Sequence, residues 1–428
     1  MNLRFNIAIV ITMQIVASTF TQFYIIRVIG LGADTDIYIA SLAVPAVIAA
    51  VITTSLQNVW LPRLSIFSDN LTAWRSEQAI AQGQAALLGI GLFLLLSSTM
   101  SLWLPLLFPT FSPQQQQTAL VYSFLLLLAG VFNTQSALLI IALRAIDRFV
   151  VSEVIVLIAS LISLVILYFA IPEWGLLAVV WLALVRSILV YIVQLYFAKW
   201  PSISLNKAFY AKNIWSLLKP ILATRFLVNT SPLVDRYWAS QAVSGTLTLL
   251  NLAQTAMGAL ATILERTICM PVIPTIARQV AKANYKEARS TYRRVLLQIT
   301  LIVAVIGLAL ILSKPLFISG ASTLLNLQSD TASLLWVACV ILLGYLYAGV
   351  SGQVVTPVFY AMEDTKTPSK IFFIGFMISL FIKSAAFIYF GVIGLFAAIS
   401  AYYVFNFLAC VVVLELNIAQ KIRQKAVI

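Results

Sequence analysis

Apolar stretches of about 20 residues recur from one end of this 428-residue chain to the other, each long enough to cross a hydrocarbon core of about 30 Å. In lipid, every backbone N–H and C=O must be satisfied within the chain, so only helices or closed barrels can span. Runs this long and continuous predict helices. Windows between charged or Pro/Gly-rich breaks give twelve spans, approximately 5–29, 37–61, 80–107, 118–143, 150–171 and 174–198, then 214–234, 246–273, 293–318, 332–360, 369–391 and 393–416. The composition agrees: 62% of residues are hydrophobic and 10% charged, against roughly 25% charged in soluble domains. The first stretch follows Met1–Arg4 with no small-residue cleavage site, and is read as a retained span, not a signal peptide. The expected fold is an all-α polytopic membrane protein.

Basic residues set the expected orientation. The termini and even-numbered loops hold 20 of the 27 Lys and Arg, from Arg4 through Arg63, Arg144 and the 278–294 segment to Lys425. The odd-numbered loops hold only Arg27, Arg236 and Lys314. By the positive-inside rule both termini are cytoplasmic. A net charge of +13 then serves an anionic leaflet, where each surface cation is worth about 1 kcal/mol, and no nucleic acid partner is needed. Cys269, Cys339 and Cys410 lie far apart in apolar runs and suggest neither disulfides nor a metal framework. The chain has no histidine, so any proton handling falls to Asp or Glu. No cofactor motif, nucleotide-binding loop or catalytic cluster is visible, which excludes an ATPase and argues against an enzyme.

The chain also repeats itself. "DIYIASLAV" (36–44) matches "DRYWASQAV" (235–243), and "LPRLSIFSDNLTAWRSE" matches "IPTIARQVAKANYKEAR". Near the ends of the halves, "GLLAVVWLALVRSILVYIV" (175–193) matches "GLFAAISAYYVFNFLACVV" (394–412). Two six-helix lobes are expected, residues 1–200 and 219–428, joined by an interfacial linker at 201–218 that mixes lysines with apolar residues. Six is even, so the lobes share one orientation, an arrangement suited to alternating access around a central cavity. A scaffold or an enzyme subunit is the competing reading of such a bundle.

Charges inside spans mark candidate functional residues, since a charge facing lipid at a helix centre costs about 2.5–3.5 kcal/mol. Glu265 and Arg266 sit side by side in "ALATILERTICMP" (259–271), and Arg186, Arg225 and Lys383 lie well inside other spans. Arg27 is near the outer end of the first span and Glu415 near the inner end of the last. Bases outnumber acids, which favours an anionic ligand held through arginine forks. On a regular α-helix, neighbours diverge by about 100°, so Glu265 and Arg266 do not face each other. Counting back from the matched prolines, they fall on Thr53 and Thr54 of the first half, so this level is polar in both copies. A structural interhelical ion pair, such as Glu265 with Arg225, is the plain alternative to substrate contact. Asp36, Asp235 and Arg236 border outer helix ends, as caps or as an outer gate.

Four segments carry a family resemblance. "RVIGLGADTDIYIASLAVP" followed by "WLPRLS", "PLVDRYWAS", "PTIARQVAKANYKEARSTYRRVLLQ" and "FYAMEDTKTPSK" resemble the lipid II flippase (MurJ, or MviN) family of the MOP superfamily, across most of the chain. The resemblance implies two six-helix lobes around a cavity opening alternately to each side, in a bacterial inner membrane. It also implies movement of undecaprenyl-pyrophosphate-linked sugars from the inner to the outer leaflet, with membrane lipids, glycosyltransferases and a polymerase as physical or functional partners. By the same resemblance Arg27 matches a basic position before the outer loop. Departures are visible too. Pro45 is followed by "AVIAAVITT" where the family carries an Arg pair, "LNLAQTAMGAL" lacks an expected Arg, and two C-terminal helices are missing. These differences point toward another glycolipid, as in Wzx-type oligosaccharide flippases. A multidrug or cation antiporter of the same superfamily is the runner-up, disfavoured by the basic balance. A membrane glycan polymerase or transferase would show a large charged outer loop, which this chain lacks.

Overall fold

The computed structural model describes residues 2–67, 70–146, 148–364 and 366–427, and among them every regular element is helical. The chain resolves into two compact units, Met1–Leu247 and Thr248–Ile428. Nine helices among the described residues are long and apolar enough to cross a membrane.

The first unit contains α1 (Asn2–Ile29), α2 (Ala33–Ile66), α3 (Leu71–Ser98), α4 (Met100–Leu107), α5 (Pro113–Ala145), α6 (Phe149–Phe197), α7 (Leu205–Tyr210) and α8 (Lys212–Ser240). Its core follows from helical spacing. Ile52, Leu56, Trp60 and Leu64 recur every fourth residue on one face of α2 and are buried against α3, α5 and α8. Thus α8, expected to begin the second half, packs on α2, with Ile214 and Leu218 in the same cluster. Lys212, Lys219, Arg225, Asp235 and Arg236 dilute its hydropathy. The linker segment docks closely: the Ser204 N–H donates to the Ala79 carbonyl at 3.0 Å, and Ala208 is buried beside Gly83. A Cβ at Gly83 would collide with Ser204 and Ala208.

The second unit holds most of α9 (Thr246–Leu264), then α10 (Met270–Ala281), α11 (Tyr285–Leu312), α12 (Lys314–Leu325), α13 (Ser329–Ile341), α14 (Leu343–Ala361) and α15 (Lys366–Val427). The expected single span at 332–360 breaks at Leu342, where the Ser400 hydroxyl donates to the Ile341 carbonyl at 2.6 Å and accepts from the Tyr345 N–H at 3.2 Å.

Two of the long helices are hairpins. Gly175 in α6 has φ 59° and ψ −143°, and Gly391 in α15 has φ 60° and ψ −144°, a conformation open essentially to glycine. The chain reverses there. Arg186 and Ser160 would lie about 39 Å apart on one straight helix, yet they are hydrogen-bonded at 2.8 Å. Likewise Gly394 lies against the Ala386 carbonyl. Each hairpin therefore contains two of the expected spans.

The backbone also corrects the register of the repeat. Asp36 is in the first turn of α2, whereas Asp235 is near the end of α8, so the 36–44 and 235–243 segments match in letters only. The structural counterparts are the starts of α2 and α9, followed by Pro62 and Pro274 within later helix. The hairpin glycine Gly175 corresponds to Gly391 and not to Gly394.

Candidate functional site

The helix that begins as α9 does not stay regular. Between Leu264 and Met270 it widens into a π turn, Glu265–Cys269, and the Met270 N–H donates to the Glu265 carbonyl. The sequence explains the distortion. Pro271 and Pro274 follow at once; proline lacks an N–H and its ring crowds the preceding turn. A wider turn accommodates that crowding, and such turns recur at functional sites. The charged pair expected on a continuous α-helix therefore sits on the irregular turn itself, and its neighbours three and four residues away are displaced from α-helical positions. Here Cys269 is fully buried, with Sγ 3.6 Å from the Val350 carbonyl. Glu265 is half-buried and Arg266 exposed. Thr267 is exposed too, its hydroxyl donating to the Ile263 carbonyl at 2.8 Å. The turn thus anchors through its cysteine and presents an acid, a base and a hydroxyl on its open side.

In the first unit, Thr53 and Thr54 are half-buried on a regular stretch of α2, and the Thr54 hydroxyl donates to the Ala50 carbonyl at 2.7 Å. The counterpart of the charged pair is therefore polar but not distorted. Arg225 is half-buried in α8, and its carbonyl accepts from Asn229 Nδ2 at 2.8 Å. Arg27 is exposed in the last turn of α1.

Arg186 lies where the two limbs of the α6 hairpin diverge. Its guanidinium donates to the Ser160 hydroxyl at 2.8 Å, while its buried Nε has no hydrogen-bond partner. Around it is a groove of about 530 Å³ lined almost wholly by aliphatic side chains, among them Ile155, Ile158, Ile162 and Leu189. Sequence reading identified the arginine but not the groove, because Ser160 and Arg186 meet only once Gly175 turns the chain.

Lys383 is fully buried in the α15 hairpin, with Nζ 4.9 Å from the centre of the Tyr402 ring, a cation–π geometry. Asp36 is buried and accepts the Gly245 N–H at 2.6 Å. Gly245 has φ +90°, and a Cβ there would press on the Leu31–Gly32 backbone, so only glycine fits this junction comfortably. Asp235 is buried in α8, while the adjacent Arg236 is half-buried and its Nε lacks a hydrogen-bond partner. Thr110 adds a tie at the same end, donating to the Ser240 carbonyl at 2.8 Å. No cluster of metal-ligating side chains occurs among the described residues.

Comparison with known proteins places the chain. The family described as "Lipid II flippase MurJ" matches residues 25–426. Among solved structures, "Lipid II flippase MurJ, inward closed conformation" aligns with a TM-score of 0.82 at 15% identity, over 96% of this chain and 87% of that one. A multidrug resistance MATE family transporter of the MOP superfamily, in an inward-facing conformation, aligns with a TM-score of 0.73 at 12% identity, over 95% and 96%. A MOP superfamily transporter from Pyrococcus furiosus aligns at 0.66 and 13%, over 98% and 96%. At such identities these likenesses are of fold. No curated protein matches the sequence. The family match runs through both units and includes the π turn, the two hairpins and the interior bases. The chain is a membrane transporter, not a catalyst, and belongs to the lipid II flippase MurJ family.

Proposed function

We propose that this protein carries an undecaprenyl-pyrophosphate-linked oligosaccharide, lipid II or a surface-polysaccharide repeat unit, from the inner to the outer leaflet by alternating access. The family match over residues 25–426 supports a lipid-linked precursor as cargo. The observation that carries the reading to residues is the π turn. Arg266 is exposed on it within a helix long enough to span the bilayer, and a charge held against lipid there would cost about 2.5–3.5 kcal/mol. Its open side is better matched to a hydrated passage and a passing anion. In this reading Arg266 and Arg225 grip the pyrophosphate, with Arg27, Arg186 and Lys383 adding positive potential along the path. Thr53, Thr54 and Thr267 offer hydroxyls to the sugars. Glu265 orients Arg266 or carries a proton, and membrane potential supplies about 2.3 kcal/mol per charge per 100 mV. Asp36, Asp235 and Arg236 close the outer end, both termini face the cytoplasm, and the lobes move as the 1–200 and 219–428 repeats about the 201–218 linker. Glycosyltransferases supply the cargo and a polymerase consumes it.

The test is translocation of a fluorescently labelled undecaprenyl-pyrophosphate glycan in proteoliposomes. One lost charge-assisted hydrogen bond is worth about 1.5–3 kcal/mol, so R266A and R225A should each slow translocation by roughly 10- to 150-fold. Insertion and melting temperature should stay near wild type. Full activity in both variants would remove these arginines from the passage.

A further inference from the structure

A pocket with a basic rim lies away from the π turn, at the end of the first unit that carries basic loops. It is a cavity of about 110 Å³ where the start of α3, the end of α5 and both ends of α6 converge. Three cations line it, Arg75, Arg148 and Lys199, each exposed, and among the described residues its lining includes no acid. Trp74 and Gln78 form the wall. They are 5% and 1% exposed, yet the Trp74 indole nitrogen and both atoms of the Gln78 amide lack a hydrogen-bond partner. An unsatisfied buried polar group costs about 1–3 kcal/mol, and here two donors, the indole N–H and the amide NH2, sit together at one small cavity, while the amide oxygen calls for a rim cation or a water. Four helix ends of mixed polarity meet here, so helix dipoles largely cancel. The described side chains are basic.

We propose that this pocket binds a phosphate group, either the headgroup of an anionic phospholipid or free phosphate. The match is chemical. Phosphate oxygens accept from the indole N–H and the amide NH2, while arginine forks at the rim take the outer oxygens. The space would otherwise hold about four waters. Waters could satisfy Trp74 and Gln78, but they give no reason for three bases around the opening. Basic pockets between helices on the cytoplasmic side suit phospholipid headgroups. The pocket is remote in sequence from Glu265 and Arg266, and the proposal stands whatever cargo the protein carries.

The experiment uses the full chain in maltoside micelles, which contain no phosphate. Phosphatidylglycerol is added in one arm, and inorganic phosphate, matched in ionic strength with sodium chloride, in the other. The expected result is a rise in melting temperature of roughly 2–4 °C in at least one arm. A rise with phosphatidylglycerol alone assigns a lipid headgroup; a rise with inorganic phosphate assigns a free-anion site. Q78L should abolish the rise while melting at or above wild type without ligand, because it deletes a buried amide that has no partner. R148A, at the exposed rim, should at least halve the rise and leave the ligand-free melting temperature unchanged. No rise in either arm, or a rise that neither R148A nor Q78L reduces, overturns the proposal and leaves a hydrated void.

Discussion

Glu415 illustrates what a single residue contributes. It joins Arg289 at 2.5 Å and Arg293 at 2.7 Å, and it accepts the hydroxyl of the fully buried Tyr292. From the sequence it is one acid near the inner end of a span, and its partners belong to a run of loop bases more than a hundred residues away. Spacing cannot reveal such a pairing; only packing of α11 on α15 brings it about. The same holds for Arg63 with Glu77 and Arg144 with Glu153, at 2.6 and 2.7 Å. Several bases counted toward the expected orientation therefore serve internal ion pairs. The arginines of the Glu415 cluster are well exposed, which discounts the energy. E415A should cost on the order of 1–2 kcal/mol, mostly through the Tyr292 hydrogen bond, and E415Q less. Thermal melting checks this, and an unchanged melting temperature in E415A would make the cluster incidental. A milder polar contact caps α15, where Asp364 accepts the Thr367 N–H at 3.0 Å. The Thr367 hydroxyl and N–H hold the Asp364 carboxyl below its ordinary value. That stabilisation is present above the ordinary value and disappears as pH falls through the lowered one. It also gives a local reason for the Asp-Thr-Lys-Thr-Pro pattern, of which Thr365 lies outside the described residues.

At the scale of elements, prolines and glycines govern where helices depart from regularity. Pro271 and Pro274 were visible in the sequence, but which hydrogen bonds the helix would exchange to accommodate them was not. Restoring the N–H with P271A should let α9 continue as a regular helix. Proline in a helix interior is disfavoured by about 3 kcal/mol, so the variant should gain on the order of 1 kcal/mol in stability. Its glycolipid translocation should fall by about tenfold or more, because the turn that presents Arg266 is gone. A melting curve and the proteoliposome assay together decide this; undiminished transport would show that the distortion is dispensable. The hairpins were legible as pairs of spans separated by short breaks at 171–174 and 391–393. Their equal backbone angles at Gly175 and Gly391 make them a firmer sign of duplication than the letter match between 36–44 and 235–243. A nine-letter similarity carries no information about which end of a helix it occupies.

For the whole molecule, hydropathy made the fold class readable, because lipid leaves the backbone so few options. Boundaries were less readable. A break such as Leu342 depends on a distant serine. The candidate site was half legible: the interior charges stood out, but the widened turn and the groove around Arg186 required the folded chain. Orientation admits a direct check. The three native cysteines are buried, so an impermeant maleimide reports introduced ones alone. In intact cells Q114C should label, and K282C should label only after permeabilisation; the reverse pattern would invert the topology. The turn at Glu265–Cys269 has a further consequence, in time and not in space. A widened turn that moves by one position shifts the residue it passes by about 1.5 Å and rotates it by about 100°, while the helix on either side stays in place. Re-aiming Arg266 in this way exchanges hydrogen bonds within the turn and does not require unfolding of the span.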